Sequence, residues 1–147
     1  MRVVGGVIVG YFVMAILVVF MLFGMYAAMG SERAFQAGRY ESSMLWNVLS
    51  LALGLVAATV GGWVCRRIGG DKAATWLAGL ILVLGLLLSL SAFGPHPNDV
   101  RPEGLTGSAA MQKAYTPVWV ALLNPILGAF GVLWLSAKLT GPADQST

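Results

Sequence analysis

The chain has 147 residues, of which 58% are hydrophobic and 10% are charged, and its formal net charge is +3. A typical soluble domain is about 25% charged, and a water-soluble chain of this length cannot bury so much apolar surface. The composition therefore excludes an ordinary soluble domain. The few basic residues flank apolar runs, which is typical of membrane spans, and we expect no nucleic-acid partner.

Four stretches lack charged residues and reach the roughly 20 residues that a helix needs to cross a bilayer. A backbone in lipid must satisfy its own hydrogen bonds, so each stretch is predicted to be a helix. The sequence thus predicts an all-α integral membrane protein, with residues 1–147 forming a single four-transmembrane-helix bundle. The predicted spans are about 3–29, 43–65, 73–93 and 117–137, and the predicted outer loops are about 30–42 and 94–116.

The first span is longer than the 7–15 apolar residues of a signal peptide, and only Arg2 precedes it. We therefore expect an uncleaved helix. The second span carries small residues four positions apart, which places them on one face of the helix. Helices in lipid approach each other closely over such faces, so this small-residue stripe is predicted to pack against a neighbouring helix. Its members are Ser50, Gly54, Ala58 and Gly62.

The fourth span contains the sequence Asn124-Pro125 within an uncharged run. Proline removes one helical hydrogen bond and predicts a kink. Asn124 shares a face with Gly128 and Gly131, two further predicted packing positions. The other amide within a span is Asn47, and the two asparagines are predicted to lie near the outer surface. The pattern leaves two interpretations open, packing between helices or a small polar region that admits a solute.

The basic residues give a weak orientation signal, because they are nearly equal in number on the two sides. Several lie in the short turn between the second and third spans, which favours placing that turn and both termini in the cytoplasm. The compact layout suits a bacterial cytoplasmic membrane. The predicted inner residues are Arg2, Arg66, Arg67, Lys72 and Lys138, and the outer ones are Arg33, Arg39, Arg101 and Lys113.

The chemical inventory argues against catalysis. The chain has one cysteine, Cys65, and one histidine, His96, and no predicted span contains an acidic residue. Metal and haem sites need several ligands, and a serine nucleophile needs a base. We therefore predict no catalytic residue, no cofactor and no metal.

Two functional hypotheses follow. The first is a non-enzymatic accessory or structural subunit that acts in the bilayer by helix–helix association, with itself or with a larger membrane protein, because small-residue faces outnumber chemical groups. The alternative is a passive channel or carrier for a small neutral solute, which would pass near Asn47 and Asn124.

Overall fold

The computed structural model describes residues 1–37, 39–94 and 114–140. Within these ranges the chain is helical, with isolated β-bridges and no strand. Most of the predicted outer loop at 94–116, with His96, Arg101 and Lys113, lies outside the described residues. The elements are α1 (Arg2–Ala34), α2 (Met44–Ser89), a 3₁₀ turn (Leu90–Phe93), α3 (Val118–Phe130), a π-helical turn (Gly131–Leu135) and α4 (Ser136–Thr140).

Three helical segments of the described chain are long and apolar enough to cross a membrane, namely Arg2–Gly30, Met44–Phe93 and Val118–Leu139. They confirm the prediction of an all-α membrane protein with several spans. The predicted number of four spans depends on how the middle segment is divided. This segment has 50 residues, which as a straight helix would extend about 75 Å, whereas the hydrocarbon core is about 30 Å thick.

The middle segment bends back on itself at Gly70, whose backbone is non-helical with φ 73° and ψ −173°. Glycine adopts this left-handed φ without steric cost. We call residues 44–69 the first arm of α2 and residues 71–89 the second arm. A β-carbon on Gly10 would lie 2.7 Å from Cys65 Cβ in the first arm and 3.1 Å from Leu77 Cδ2 in the second. The two arms therefore lie side by side.

Helix α1 runs antiparallel to the first arm. Near its start, a β-carbon on Gly6 would lie 2.9 Å from the Cys65 carbonyl oxygen. Near its end, the rings of Tyr26 and Trp46 meet edge to face with centroids 5.9 Å apart. The first arm begins at a capped end, because Ser43 Oγ accepts a hydrogen bond of 3.1 Å from the Trp46 backbone N–H.

The bundle has two ends, which we name by their contents. The turn end contains Arg2, the Gly70 turn and Ser136–Thr140, and the loop end contains residues 34–37, 39–43, 90–94 and 114–118. The interior toward the turn end is tightly filled. Leu77 and Val132 are 0% exposed there, and they belong to one buried apolar cluster with Ala58, Cys65, Ala73, Ala74 and Ala78.

Candidate functional site: a cavity at the loop end

A cavity of about 420 Å³ lies in the half of the bundle toward the loop end. Sites for small molecules typically measure about 300–1,000 Å³. Both arms of α2 contribute to the wall together with α1 and α3, and no charged side chain among the described residues lines it. The lining residues are Met14, Val18, Leu22, Trp46, Ser50, Leu51, Gly54, Ala58, Ile81, Gly85, Leu88, Ser89, Thr116, Val120, Ala121, Asn124, Pro125 and Gly128.

The cavity extends from the loop end to about the middle of the bundle. Trp46, Ser89 and Thr116 lie at the loop end, and Ala58 and Gly128 lie deepest. Beyond Ala58 the interior is filled by the buried cluster around Leu77. The space is therefore a pocket with a closed floor in this conformation.

Asn124 is the amide in the wall of this pocket. Its side chain is exposed and has no hydrogen-bond partner among the described residues. Its Oδ1 would lie 3.2 Å from a β-carbon on Gly54, so the absence of a side chain at Gly54 leaves room for the amide. An asparagine amide offers two donors and one acceptor oxygen. Asn124 is therefore available to a bound solute.

Pro125 follows Asn124 and is buried. It lies against Gly85 of the second arm, where a β-carbon would overlap the proline ring. Helix α3 continues through Pro125 to Phe130. Because proline has no N–H, the carbonyl of Ala121 loses its usual helical partner. Ala121 also lines the pocket.

The serine hydroxyls of the pocket use their protons within the protein. Ser50 Oγ donates to the Asn47 carbonyl at 2.9 Å, and Ser89 Oγ donates to the Leu86 carbonyl at 2.7 Å. Each hydroxyl oxygen keeps acceptor capacity after donating. These two hydroxyl oxygens are therefore acceptors in the polar part of the wall.

Asn47, the other predicted site residue, lies outside the lining. It is 2% exposed, and its Oδ1 accepts a 2.6 Å hydrogen bond from Ser42 Oγ. Its Nδ2 donates to the Ser42 carbonyl at 3.3 Å. Gly54, beside Asn124, is seven residues farther along the first arm, a rise of about 10 Å. Asn47 thus fastens the start of α2 to the preceding turn, and the two amides do not meet.

The predicted small-residue stripe faces α3 and its continuation along most of the first arm. Ser50 and Gly54 border the pocket. A β-carbon on Gly131 would lie 3.1 Å from Ala58 Cβ, and one on Gly62 would lie 2.7 Å from Val132 Cα. Gly128 faces the second arm instead, because a β-carbon on Gly128 would lie 3.1 Å from Ile81 Cγ2.

The first arm has a second small-residue face, formed by Gly61, Cys65 and Gly69, which was not predicted from the sequence. A β-carbon on Gly61 would lie 2.7 Å from the Gly10 carbonyl oxygen, and one on Gly69 would lie 3.0 Å from the Arg2 carbonyl oxygen. This face receives α1. Its spacing of four residues is visible in the sequence. It is easily overlooked because Gly61 and Gly62 are adjacent, although Gly61 contacts α1 and Gly62 contacts Val132.

A polar junction at the turn end was likewise not predicted from the sequence. The side chain of Arg66 is 9% exposed and forms an ion pair with Asp71. Its Nε donates to Ser136 Oγ at 2.8 Å, and its Nη2 donates to the Leu133 carbonyl at 2.6 Å. Leu133 lies within the π-helical turn, where the wider winding disturbs the regular hydrogen bonds. Arg66 therefore joins the first arm, the Gly70 turn and the π-helical turn with the start of α4.

The described residues contain no group of three His, Cys, Asp or Glu side chains that would hold a metal ion. Comparison with known proteins adds a different kind of observation. No family model and no solved structure matches the chain. It is 30% identical over 117 residues to facilitated glucose transporter member 2 of solute carrier family 2 from Rattus norvegicus, and equally to that of Mus musculus.

The matched region covers 75% of this chain and 22% of each transporter. The chain thus spans about a fifth of the length of the curated relatives that it matches. The apolar helices define an integral membrane protein. Most of this protein is similar in sequence to one part of a much longer transporter.

Proposed function

We propose that the chain is a membrane carrier that binds a small neutral solute in the pocket at the loop end. The observation that carries this proposal is the exposed amide of Asn124 in an uncharged pocket of about 420 Å³. A solute with a net charge would enter such a wall without a counter-charge, which is costly in a low-dielectric site.

The acceptor oxygens of the wall favour a solute that brings its own donors. Ser50 and Ser89 offer oxygen acceptors, and the Asn124 amide supplies donors for the solute's oxygens. A molecule with several hydroxyl groups fits this arrangement. The similarity to a protein named as a facilitated glucose transporter supports the same class of solute, and we take hexoses and smaller polyols as the first candidates.

The closed floor of the pocket favours a carrier over an open channel. A solute bound beside Asn124 is separated from the turn end by the buried cluster around Leu77 and Val132. Passage across the bilayer therefore requires the packing at the turn end to open after the solute has entered from the loop end. Binding sites that are reached alternately from the two sides are common in secondary transporters.

We also propose four spans, with each arm of α2 counted as one, and a cytoplasmic turn end in the cell membrane. The basic residues near Gly70 support this orientation. Reporters fused within residues 31–42 and after residue 140 test it. A cytoplasmic signal from residues 31–42 would reverse the orientation.

The accessory role, with a homo-oligomer or a larger membrane protein as partner, stays a prediction, as does the lack of enzymatic activity. The small-residue faces that motivated it make contacts within this chain, at Gly10 with Gly61 and at Gly62 with Val132. They therefore supply no separate argument for a partner. Native mass measurement in mild detergent tests this hypothesis, because a second protein at fixed stoichiometry would favour it over a carrier.

The test of the carrier is uptake of labelled glucose, glycerol and urea into liposomes that contain the purified protein. Asn124→Leu keeps the side-chain size but removes the donors and the acceptor. We expect at least a tenfold loss of uptake for the preferred solute, as for the removal of two hydrogen bonds of about 1 kcal/mol each. The matched control is Ile126→Leu, an exposed position of α3 outside the lining. Equal uptake by both variants contradicts the proposal.

A further inference from the structure

The turn end carries most of the positive charge of the described residues. Five basic residues and one acidic residue, Asp71, lie there. The guanidinium of Arg66 is largely buried and is engaged by Asp71, Ser136 and the Leu133 carbonyl. The other basic side chains are exposed at the surface, namely Arg2, Arg67, Lys72 and Lys138.

Arg66 joins two neighbouring elements at the turn end. Its guanidinium contacts both Asp71 and Ser136, and so holds the Gly70 turn against the start of α4. Lys72 is adjacent to Asp71 in the chain, and Lys138 follows Ser136 by two residues, which places it on the exposed face of α4. Both lysines therefore belong to the turn end of the bundle, on neighbouring elements. Arg2 lies at this end too, because its carbonyl oxygen is 3.0 Å from a β-carbon placed on Gly69.

An aromatic surface leads from the middle of the bundle to Lys138. The rings of Phe130 and Trp134 stack with centroids 5.2 Å apart, and Lys138 Nζ lies 3.7 Å from the centre of the Trp134 ring. Both rings are about half exposed, and the spacing of four residues places all three side chains on one face. Tryptophan at such a level sits among lipid headgroups, and its ring attracts the ammonium group.

We propose that the turn end binds anionic phospholipids, with the headgroup phosphate held by Lys138 beside Trp134 and attracted by the exposed charges of Arg2, Arg67 and Lys72. The glycerol and upper acyl region then pack against Trp134 and Phe130. The charge at this end is complementary to an anionic leaflet, and the exposed rings explain why the ligand is a lipid and not a soluble anion. The proposal is independent of the carrier function, because none of these residues lines the pocket.

The test is native mass spectrometry of the full chain from detergent that contains equal amounts of phosphatidylglycerol and phosphatidylcholine. We expect the protein to retain phosphatidylglycerol selectively. One lysine near an anionic surface contributes about fivefold in binding, so Lys72→Gln and Lys138→Gln should each reduce retention by about that factor. Trp134→Leu should lower retention without a change in charge, and Lys138→Arg should preserve it.

The matched controls are Arg33→Gln and Arg39→Gln, which remove exposed basic side chains at the loop end. They should leave retention unchanged, and circular dichroism verifies that every variant is folded. Equal retention of the two lipids overturns the proposal, as does an equal loss in the controls. Full retention by Trp134→Leu, combined with displacement of the lipid by inorganic phosphate, would indicate a soluble-anion site and would also overturn it.

Discussion

The two halves of the bundle use the same small residues to opposite effect. Toward the turn end, Gly62 lets Val132 approach until a β-carbon would lie 2.7 Å from its Cα. Toward the loop end, Gly54 faces the amide of Asn124, and space remains between the helices. A glycine in a membrane helix therefore produces either close packing or a pocket, and the residue opposite decides which one.

The residues that face Gly54 and Gly62 differ because of the sequence of α3 and its continuation. Pro125 inserts against Gly85, and Asn124 places a polar group beside Gly54. Around Val132 the same helix presents small or β-branched residues, and Arg66 then closes the turn end with its hydrogen bonds. One half is consequently tightly packed and buried, and the other has an accessible polar wall. The following predictions test this difference.

The largest expected effect is at Gly10, where α1 meets the packed half. Gly10→Ala places a β-carbon 2.7 Å from Cys65 Cβ and 2.8 Å from the Gly61 carbonyl oxygen. Such overpacking costs about 1–3 kcal/mol of unfolding free energy. The control is Gly24→Ala on the same helix, where nothing lies within 4 Å. Unfolding in detergent measures both, and equal stability of the two variants would refute the close packing at Gly10.

A smaller loss is expected when the polar junction is removed. Arg66→Met keeps much of the side-chain volume but leaves the Leu133 carbonyl without its donor at 2.6 Å. A lost hydrogen bond of this kind costs about 1–3 kcal/mol, and the exposure of Asp71 favours the lower part of that range. Hydrogen exchange of residues 131–136 should rise in the variant. Lys72→Met, on the exposed side of the same turn, serves as control. Similar exchange of residues 131–136 in the two variants would show that the Arg66 hydrogen bonds do not stabilise this segment.

The smallest effect on stability is expected at Gly54. Gly54→Ala places a β-carbon 3.2 Å from Asn124 Oδ1, and the flexible amide moves aside at a cost of less than about 1 kcal/mol. Solute uptake should nevertheless fall, because the amide leaves its position in the wall. Gly79→Ala is the control, since nothing lies within 4 Å of that position. Unchanged uptake by Gly54→Ala would indicate that the Asn124 amide takes no part in solute binding.

Composition alone was sufficient to predict an all-α membrane protein, because a backbone surrounded by lipid must satisfy its own hydrogen bonds, as a helix does. The spacing from Ser50 to Gly62 was likewise sufficient to define one face of the first arm. The spacing did not predict which helix packs against that face, because this depends on where α3 lies. The second face was not recognised because Gly61 and Gly62 are adjacent in the sequence but contact different helices.

The polar residues were harder to interpret. Asn47 and Asn124 are chemically identical, yet one is enclosed by Ser42 and the other lines the pocket. Asn47 is hydrogen-bonded to Ser42 in the turn before α2. Helical periodicity in the sequence does not predict contacts that a turn makes. The junction at Arg66 joins residues that are 67 and 70 positions apart, and only the folded chain brings them together.

The turn at Gly70 also has a consequence for the order of assembly. It joins two helical arms that are neighbours in sequence, and such local contacts form early. Helix α1 and the two arms can thus associate as soon as residue 93 has been synthesised. The fourth wall of the pocket comes from residues 116–128. The solute site therefore forms only when the final helix docks. A chain that stops before it keeps the contacts of α1 with the two arms, but it has neither the pocket nor the packing of Val132 against Gly62.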